Sequence, residues 1–220
     1  MADAKVFEHF KTQGLAVLTA NTFQVEDAFF DIDWIPLNKI LEQLDQLLAR
    51  YSIRHVKIGL IESSEALQAI LTRFGEMPHT VQVCWDPILK ATAGGEFDTK
   101  RFTSDFNLPE NVCLLVTPNF EEYEVLEPTL KKLQCSIYLK GGDSELSRGI
   151  DYLMTENDKK TLLPRITTNK TKHGSGCMFS SSVIAHLAKG YPLLKACFRS
   201  KRFVEKALLS NDTFLASIRH

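Results

Sequence analysis

Residues 55–85, HVKIGLIESSEALQAILTRFGEMPHTVQVCW, decide the fold of this 220-residue chain. HVKIGLI (55–61) and TVQVCW (80–85) are short, mainly apolar runs that predict strands. Between them, SSEALQAILTRFG predicts a helix with Ser63 or Ser64 as its N-terminal cap and Gly75 as its end. A helix set between two buried strands is typical of a sheet whose strands run parallel.

The same alternation continues along the chain. The stretch PLNKILEQLDQLLARY (36–51) opens with a proline that suits the first turn of a helix, and its apolar residues recur at helical spacing. Further strands are predicted at LAVLTA (15–20), VCLLV (112–116) and CSIYLK (135–140), a hairpin at the turn Asn157-Asp158, and helices near 3–13, 176–189 and 192–210. This pattern predicts one α/β domain over residues 1–220, with a mostly parallel central sheet between two layers of helices.

Composition and charge exclude several classes of protein. Hydrophobic residues make up 44% and charged residues 24%, as in ordinary globular proteins. The 26 basic and 27 acidic residues nearly cancel, which argues against nucleic acid or an anionic membrane as the main partner. No apolar run approaches the roughly 18 residues of a membrane span, so we expect a cytoplasmic protein. The five cysteines form no C-x-x-C pair, which argues against a zinc knuckle or a redox dithiol.

Polar residues follow three of the predicted strands, where each strand ends. They are Asp86, with Gly94-Gly95 in the loop beyond it, then Asn119 with Glu121 and Glu122, and then Lys140-Gly141-Gly142-Asp143. Because ligands bind beyond the carboxyl ends of parallel strands, this set predicts a polar cleft that handles phosphate. Each residue also has a structural explanation: Asp86 and Asn119 as turn formers, and the glutamates as acids in the first turn of a helix.

The segment Lys172-His173-Gly174-Ser175-Gly176-Cys177 opens a predicted helix of small and apolar residues. The free amides at such a helix start form an anion site, and the two glycines leave it unobstructed. The same field predicts a lowered pKa for the Cys177 thiol, which could then act as a base, an acid or a nucleophile. The structural alternative is a small residue packed in the first turn of a buried helix.

Other catalytic templates are absent from the sequence. It contains no G-x-x-x-x-G-K-[ST], no G-x-G-x-x-G after a strand and no G-x-S-x-G. A cysteine hydrolase would need a histidine paired with Cys177, and the proximity of His173 in sequence does not establish such a dyad.

Taken together, these motifs resemble a known family. D-P (86–87), T-P-N-x-x-E (117–122), K-G-G (140–142) and H-G-S-G-C (173–177) are similar to segments of the hydroxymethylpyrimidine/phosphomethylpyrimidine kinases of thiamine biosynthesis, within the ribokinase-like superfamily. Ala2-Asp3-x-Lys5, Leu18-Thr19-Ala20 with Gln24, and V-K-I-G (56–59) also match, in the same order. The resemblance covers almost the whole chain. Pyridoxal kinases are close relatives and remain the alternative.

The resemblance implies a ribokinase-like fold and transfer of the ATP γ-phosphoryl group to a primary alcohol, and then to the phosphate of the product. Gly174, Ser175 and Gly176 would surround the transferred group. Cys177 matches the residue that takes the proton from the hydroxymethyl group. Other branches of the superfamily carry aspartate at that position, so the cysteine favours this branch.

The resemblance also implies the cofactors ATP and Mg²⁺, a pyrimidine substrate and, as one option, a homodimer. Asn119, Lys140, Gly142 and His173 would lie near ATP and its phosphates, Asp86 and Glu122 near the metal, and Gln24 would bind the pyrimidine. The last helix, with Lys195, Arg199, Lys201 and Arg202, would lie near the nucleotide, and its charges are expected to form a solvated face.

One family feature has no counterpart in this sequence. The family begins with a strand and a segment ending G-G-A-G, which precede the stretch that matches Ala2-Asp3. We therefore expect either a chain truncated at its amino terminus, inactive or weakly active toward the pyrimidine, or a homologue that has lost substrate binding. Such a homologue would bind a ligand or partner without catalysis. Without that strand the sheet would have an exposed edge.

Overall fold

The computed structural model describes residues 2–25, 28–89, 99–102, 106–142, 148–166, 168, 172–211, 213 and 216. Its helices are α1 (Ala2–His9), α2 (Leu37–Leu48), α3 (Ser64–Gly75), α4 (Phe120–Leu130), α5 (Ser175–Ala188) and α6 (Leu193–Leu208). Its strands are β1 (Ala20–Gln24), β2 (Phe29–Trp34), β3 (His55–Ile58), β4 (Val81–Trp85), β5 (Val112–Val116), β6 (Ser136–Leu139), β7 (Asp151–Thr155) and β8 (Asp158–Leu162). No helix among these is long and apolar enough to cross a membrane.

The central sheet has six strands in the order β3-β4-β5-β6-β7-β8. The first four run parallel, and β7 and β8 continue the sheet as an antiparallel hairpin. The predictions of a mostly parallel sheet and of a hairpin at Asn157-Asp158 are therefore confirmed. Because crossovers between neighbouring parallel strands are right-handed, strands added in sequence order place their crossover helices on one face. This places α3 and α4 on the same side of the sheet.

Alternate residues of the central strands face two separate hydrophobic clusters. Val83 of β4 and Leu114 of β5 pack with apolar residues of α2, α3 and α4. Their neighbours Cys84 and Leu115 point the other way and pack against α5 and α6. Since both faces of the sheet are covered at its centre, β4 and β5 are mainly apolar. The three-layer α/β/α arrangement is thus confirmed.

The predicted strand at 15–20 is wrong. Residues 12–19 have no regular structure, and the chain instead forms an antiparallel two-stranded sheet of β1 and β2. The prediction rested on the apolar composition of this run, but Leu15 and Leu18 are exposed and do not pack in the core as strand residues would. The first helix is also shorter than predicted: Lys11 adopts a left-handed φ of 51°, which ends α1 at His9.

Helix α3 begins and ends where the sequence predicted. Ser63 is the N-cap, and its hydroxyl accepts a hydrogen bond from the Ala66 amide at 3.3 Å. Gly75 is the last helical residue, and Glu76 after it keeps a right-handed conformation. A Cβ atom on Gly75 would lie 2.7 Å from the Cβ of Pro109. The glycine is therefore needed for close packing and not for a left-handed turn.

Replacement of Gly75 tests this packing. Gly75→Ala should lower the free energy of unfolding by about 1–3 kcal/mol, because the added methyl group overlaps Pro109. Thr72→Ala, on the exposed face of the same helix, is the control and should change stability by no more than about 0.5 kcal/mol. Urea unfolding followed by circular dichroism measures both variants. An alanine variant as stable as the wild type would contradict the packing argument.

Candidate active site

The parallel strands bring their carboxyl ends to one edge of the sheet, and a cavity of about 660 Å³ lies there. The amino end of α5 borders the same cavity. Nine of the residues predicted for the site line this cavity: Asp86, Asn119, Glu122, Lys140, Gly142, Gly174, Ser175, Gly176 and Cys177. The expectation that three strand ends and the glycine loop form one cleft agrees with this placement.

A buried ion pair forms the base of the cleft. Lys140, after β6, donates a hydrogen bond to Oδ1 of Asp86, after β4, at 2.8 Å. The Thr117 hydroxyl, after the intervening β5, donates to the same oxygen at 3.1 Å, and Ser180 of α5 donates to Oδ2 at 3.3 Å. Asp86 is only 2% exposed. One carboxylate therefore joins three strand ends to the helix above them.

The opposite charges of Asp86 and Lys140 at the bottom of the cleft stabilise each other. Burial alone would raise the pKa of the Asp86 carboxyl, but the charges of Lys140 and Lys57 outweigh burial and hold that pKa below its ordinary value. Burial likewise disfavours the Lys140 ammonium, and Asp86 and Glu122 reverse the effect and raise its pKa. Both groups are charged at neutral pH, so the cleft presents a fixed ammonium to a bound anion.

Asn119 and Glu122 have a structural role as well as a place in the cleft. The Asn119 side chain caps α4 by accepting from the Glu122 amide, and Glu122 accepts from the Asn119 amide, each at 2.8 Å. This reciprocal capping box satisfies two amides at the helix start. Glu122 Oε2 also lies 3.8 Å from Lys140 Nζ. Burial raises the pKa of Glu122 to about 7, against the opposing effect of Lys140.

The amino end of α5 has the geometry of an anion site. Gly174 caps the helix at a φ of 77°, a left-handed conformation that suits glycine. The first amides of a helix have no partner within it, which leaves those of Gly176 and Cys177 available to a ligand. A Cβ atom on Gly176 would lie 3.3 Å from Lys140 Nζ and 3.5 Å from Asp86 Oδ2. A glycine at 176 therefore lets the helix end approach the ion pair closely.

The predicted lowering of the Cys177 pKa is wrong. Burial raises the pKa of this thiol to about 11, and Asp86 and Asp3 add to the effect, while Lys57 and Lys140 oppose it. The loss of hydration on burial is the largest effect on this thiol, and it acts against the lowering that the helix start indicated. At neutral pH the Cys177 side chain is a thiol, with a small fraction of thiolate.

Sequence reasoning gave no role to a second buried lysine beside the cleft. Lys57, on β3, pairs with Asp3 of α1 at 3.0 Å, and Ser181 of α5 donates to Asp3 at 2.7 Å. Ser181 is four residues after Cys177, so the two share one face of α5. A lysine within the apolar run HVKIGLI was the signal available in the sequence.

Two predicted site residues lie outside the cavity lining. Gln24 ends β1, is exposed, and donates to the Thr22 hydroxyl at 3.0 Å. His173 precedes the lining glycines, and its Nδ1 is buried with no hydrogen-bond partner within the described residues. Gly94, Gly95 and Asp143 lie outside the residues that the structure describes.

The comparison with protein families decides what this cleft belongs to. The sequence profile of the phosphomethylpyrimidine kinases matches residues 1–217. The chain belongs to this family. Its members are kinases, so this chain is a kinase, and the family implies the use of ATP.

Similar proteins agree with this assignment. The hydroxymethylpyrimidine/phosphomethylpyrimidine kinase of Haemophilus influenzae is 30% identical over 94% of this chain and 84% of its own length. The Aquifex aeolicus enzyme of the same name is 26% identical over 94% of this chain and 88% of its own length. Among solved structures, phosphomethylpyrimidine kinase from Clostridium difficile superposes with a TM-score of 0.71 at 23% identity, over 94% of this chain and 91% of that one.

Pyridoxal kinases share the fold. The Staphylococcus aureus enzyme in complex with AMP-PCP and pyridoxal has a TM-score of 0.74 at 22% identity, over 95% of this chain and 81% of that one. These likenesses confirm the ribokinase-like architecture expected from the motifs.

The buried capping glutamate gives a pH test of the site. Because the folded pKa of Glu122 is raised to about 7 from 4.5, the protonated form stabilises the fold, and that stability is lost as the pH rises through about 7. Glu122→Gln keeps the neutral capping side chain and removes the titration. Relative to the wild type, the variant should gain about 1–3 kcal/mol of unfolding free energy between pH 5 and pH 8.

Chemical denaturation at several pH values measures this difference, with Glu124→Gln, at an exposed position of α4, as the control for loss of charge. If the wild type and Glu122→Gln keep a constant difference across this range, the raised pKa is wrong.

Proposed function

We propose that this chain transfers the γ-phosphoryl group of ATP to the hydroxyl of 4-amino-5-hydroxymethyl-2-methylpyrimidine, and then a second one to the resulting monophosphate, as a step of thiamine biosynthesis. The observation that carries the proposal is the meeting of the Asp86–Lys140 pair with the glycine-capped start of α5 in one cavity. The relatives named for this activity are 26–30% identical over almost the whole chain.

The residues around the cavity suit a phosphoryl group that gains charge during transfer. The free helix-start amides of Gly176 and Cys177 are proposed to donate to that group, and Lys140 adds a fixed positive charge. Asn119, Gly142 and His173 are proposed to lie near the phosphates of ATP. Because Asp86 and Ser180 fix Lys140 and α5 relative to each other, both donors are in place before the substrate binds.

Cys177 is proposed to accept the proton of the attacking hydroxyl as a thiolate. With a thiol pKa of about 11, the thiolate fraction at neutral pH is small, and it rises as the pH approaches that value. Turnover should therefore increase with pH in the neutral and mildly alkaline range. The neighbouring cations Lys57 and Lys140 favour the thiolate and limit the effect of burial.

Mg²⁺ fits the carboxylates of this cleft as a metal carried by the nucleotide. No group of three metal-binding side chains occurs among the described residues. Asp86 and Glu122 already accept hydrogen bonds from Lys140 and from the Asn119 amide. Mg²⁺ commonly keeps several waters and takes one or two carboxylates together with substrate phosphates, so these two residues would hold it and it would neutralise phosphate charge.

The remaining assignments extend the proposal beyond the cavity. Gln24 is proposed to contact the pyrimidine from the β1–β2 sheet, since an amide can match both the donor and the acceptor of an aminopyrimidine edge. Phe23 and Phe30 of the same sheet are 47% and 69% exposed, which supports a homodimer in which a second copy covers them. A cytoplasmic location, and no role for nucleic acid or membrane, remain part of the proposal.

Two other candidate functions can be distinguished from the proposed one by the substrates that the protein phosphorylates. Pyridoxal kinase is favoured by the structural likeness to the Staphylococcus aureus enzyme. A ligand-binding homologue without catalysis is the third candidate. A coupled assay of ADP release, with the hydroxymethylpyrimidine, its monophosphate and pyridoxal in parallel, tests all three. We expect turnover with the two pyrimidines. Turnover with pyridoxal alone, or none with any acceptor, would contradict the proposal.

Substitution of Cys177 tests its role within that assay. Cys177→Ala should lower kcat by roughly 100-fold or more with little change in the KM for ATP, as expected for loss of a general base. Cys177→Asp should retain more activity than the alanine variant and move the rise of kcat with pH to lower pH, since a carboxyl has a lower pKa than a thiol. Wild-type turnover in the alanine variant would refute the assignment.

A further inference from the structure

Helix α6 carries a buried lysine where the sequence predicted a solvated face. Lys201 is only 5% exposed, so that expectation is wrong for this residue. Its ammonium donates to the Gly149 carbonyl at 2.5 Å and to Asp151 Oδ2 at 2.6 Å. A lysine is seldom buried unless it is paired, and here the pairing links α6 to the edge of the sheet that carries the cleft.

Asp151, the first residue of β7, is the centre of this link. Its Oδ2 accepts from the Tyr138 hydroxyl at 2.7 Å as well as from Lys201, and its Oδ1 accepts from the Gly141 amide at 2.8 Å. Both carboxylate oxygens are therefore engaged by buried donors. Since β7 runs antiparallel to β6, its start lies at the edge of the sheet where β6 ends and Lys140 follows.

The network also joins the backbone after Lys140 to the backbone just before β7. The Gly149 amide donates to the Gly141 carbonyl at 2.8 Å. Asp151 then holds the Gly141 side and Lys201 holds the Gly149 side. The Gly141 backbone, directly after Lys140, is held at both its amide and its carbonyl. Gly142, Gly149, Asp151 and Lys201 all line the cavity.

We propose that the Asp151–Lys201 pair is the positioning device for the phosphate-binding edge of the cleft. The pair acts through the backbone of Gly141, which sets where Lys140 and Gly142 stand, and it takes no part in proton transfer. The inference deepens the proposed function and rests on its ATP-dependent part. Removal of one partner leaves the other charge buried and unpaired, so the edge must rearrange to let water reach that charge.

Binding of AMP-PCP, an ATP analogue with an intact triphosphate chain, tests the proposal without any turnover. Lys201→Met should weaken AMP-PCP binding by about 10-fold in titration calorimetry, as expected when charged hydrogen bonds that place the phosphate ligands are lost. The matched control is Lys206→Met, at an exposed position of the same helix, which should bind AMP-PCP as the wild type does. Thermal unfolding of each variant fixes a temperature at which all are folded.

The double variant Asp151→Asn/Lys201→Met keeps the test valid if the single variant does not fold, because it removes both buried charges together. It should bind AMP-PCP about as weakly as Lys201→Met, since the two residues act as one unit. Unchanged AMP-PCP affinity in folded Lys201→Met or in the double variant, even with a lower Tm, would show a structural role only and overturn the proposal.

Different outcomes overturn the proposed substrate and the positioning role of the Asp151–Lys201 pair. If the wild type binds AMP-PCP but releases no ADP with the pyrimidine, the proposed substrate is wrong and the positioning result stands. If the wild type does not bind AMP-PCP, the ATP-dependent function is wrong, and the positioning role is overturned with it.

Discussion

The rest of the site depends on the buried ion pair between Asp86 and Lys140. These residues follow β4 and β6, which are separated by β5, so their 2.8 Å contact requires all three strands to be in register. Thr117 joins the same carboxylate from β5, and Ser180 joins it from α5. Asp86 is only 2% exposed, and a charge this deeply buried is costly unless it is fully bonded, so the strand ends and the helix start are held in one arrangement. That arrangement puts an ammonium beside free helix amides, which is what a phosphate ligand needs.

Much of this cleft could be predicted from the sequence, because the sheet topology fixes where the residues that follow each strand lie. Parallel strands end at one edge, so Asp86, Asn119 and Lys140 meet wherever the sheet is parallel. A glycine-rich segment at the start of a helix has few uses other than close approach, and Gly176 lies against the ion pair as a result. Glu122 shows that the structural and the functional explanation can hold together, since it caps α4 and also lines the cavity.

Other features of the site could not be predicted, because they depend on burial and on contacts between residues far apart in sequence. The spacing of apolar residues carries no information about such contacts. The pKa of Cys177 follows from desolvation rather than from the helix field alone, and the roles of Lys57 and Lys201 follow from partners 54 and 50 residues away in sequence. The apolar run at 15–20 was mistaken for a strand because nothing local distinguishes a packed leucine from the exposed Leu18. The single-domain assignment over 1–220 stays a prediction.

A double-mutant cycle on Asp86 and Lys140 tests the central claim most directly. The free energy of unfolding is measured by urea denaturation for the wild type, Asp86→Asn, Lys140→Met and the double variant. If the pair organises the cleft, each single substitution costs about 3–5 kcal/mol, because it leaves a buried charge without its partner. The double variant should then be more stable than the sum of the two losses by at least about 2 kcal/mol. Additive losses would show that the two residues act independently and would contradict this account of the site.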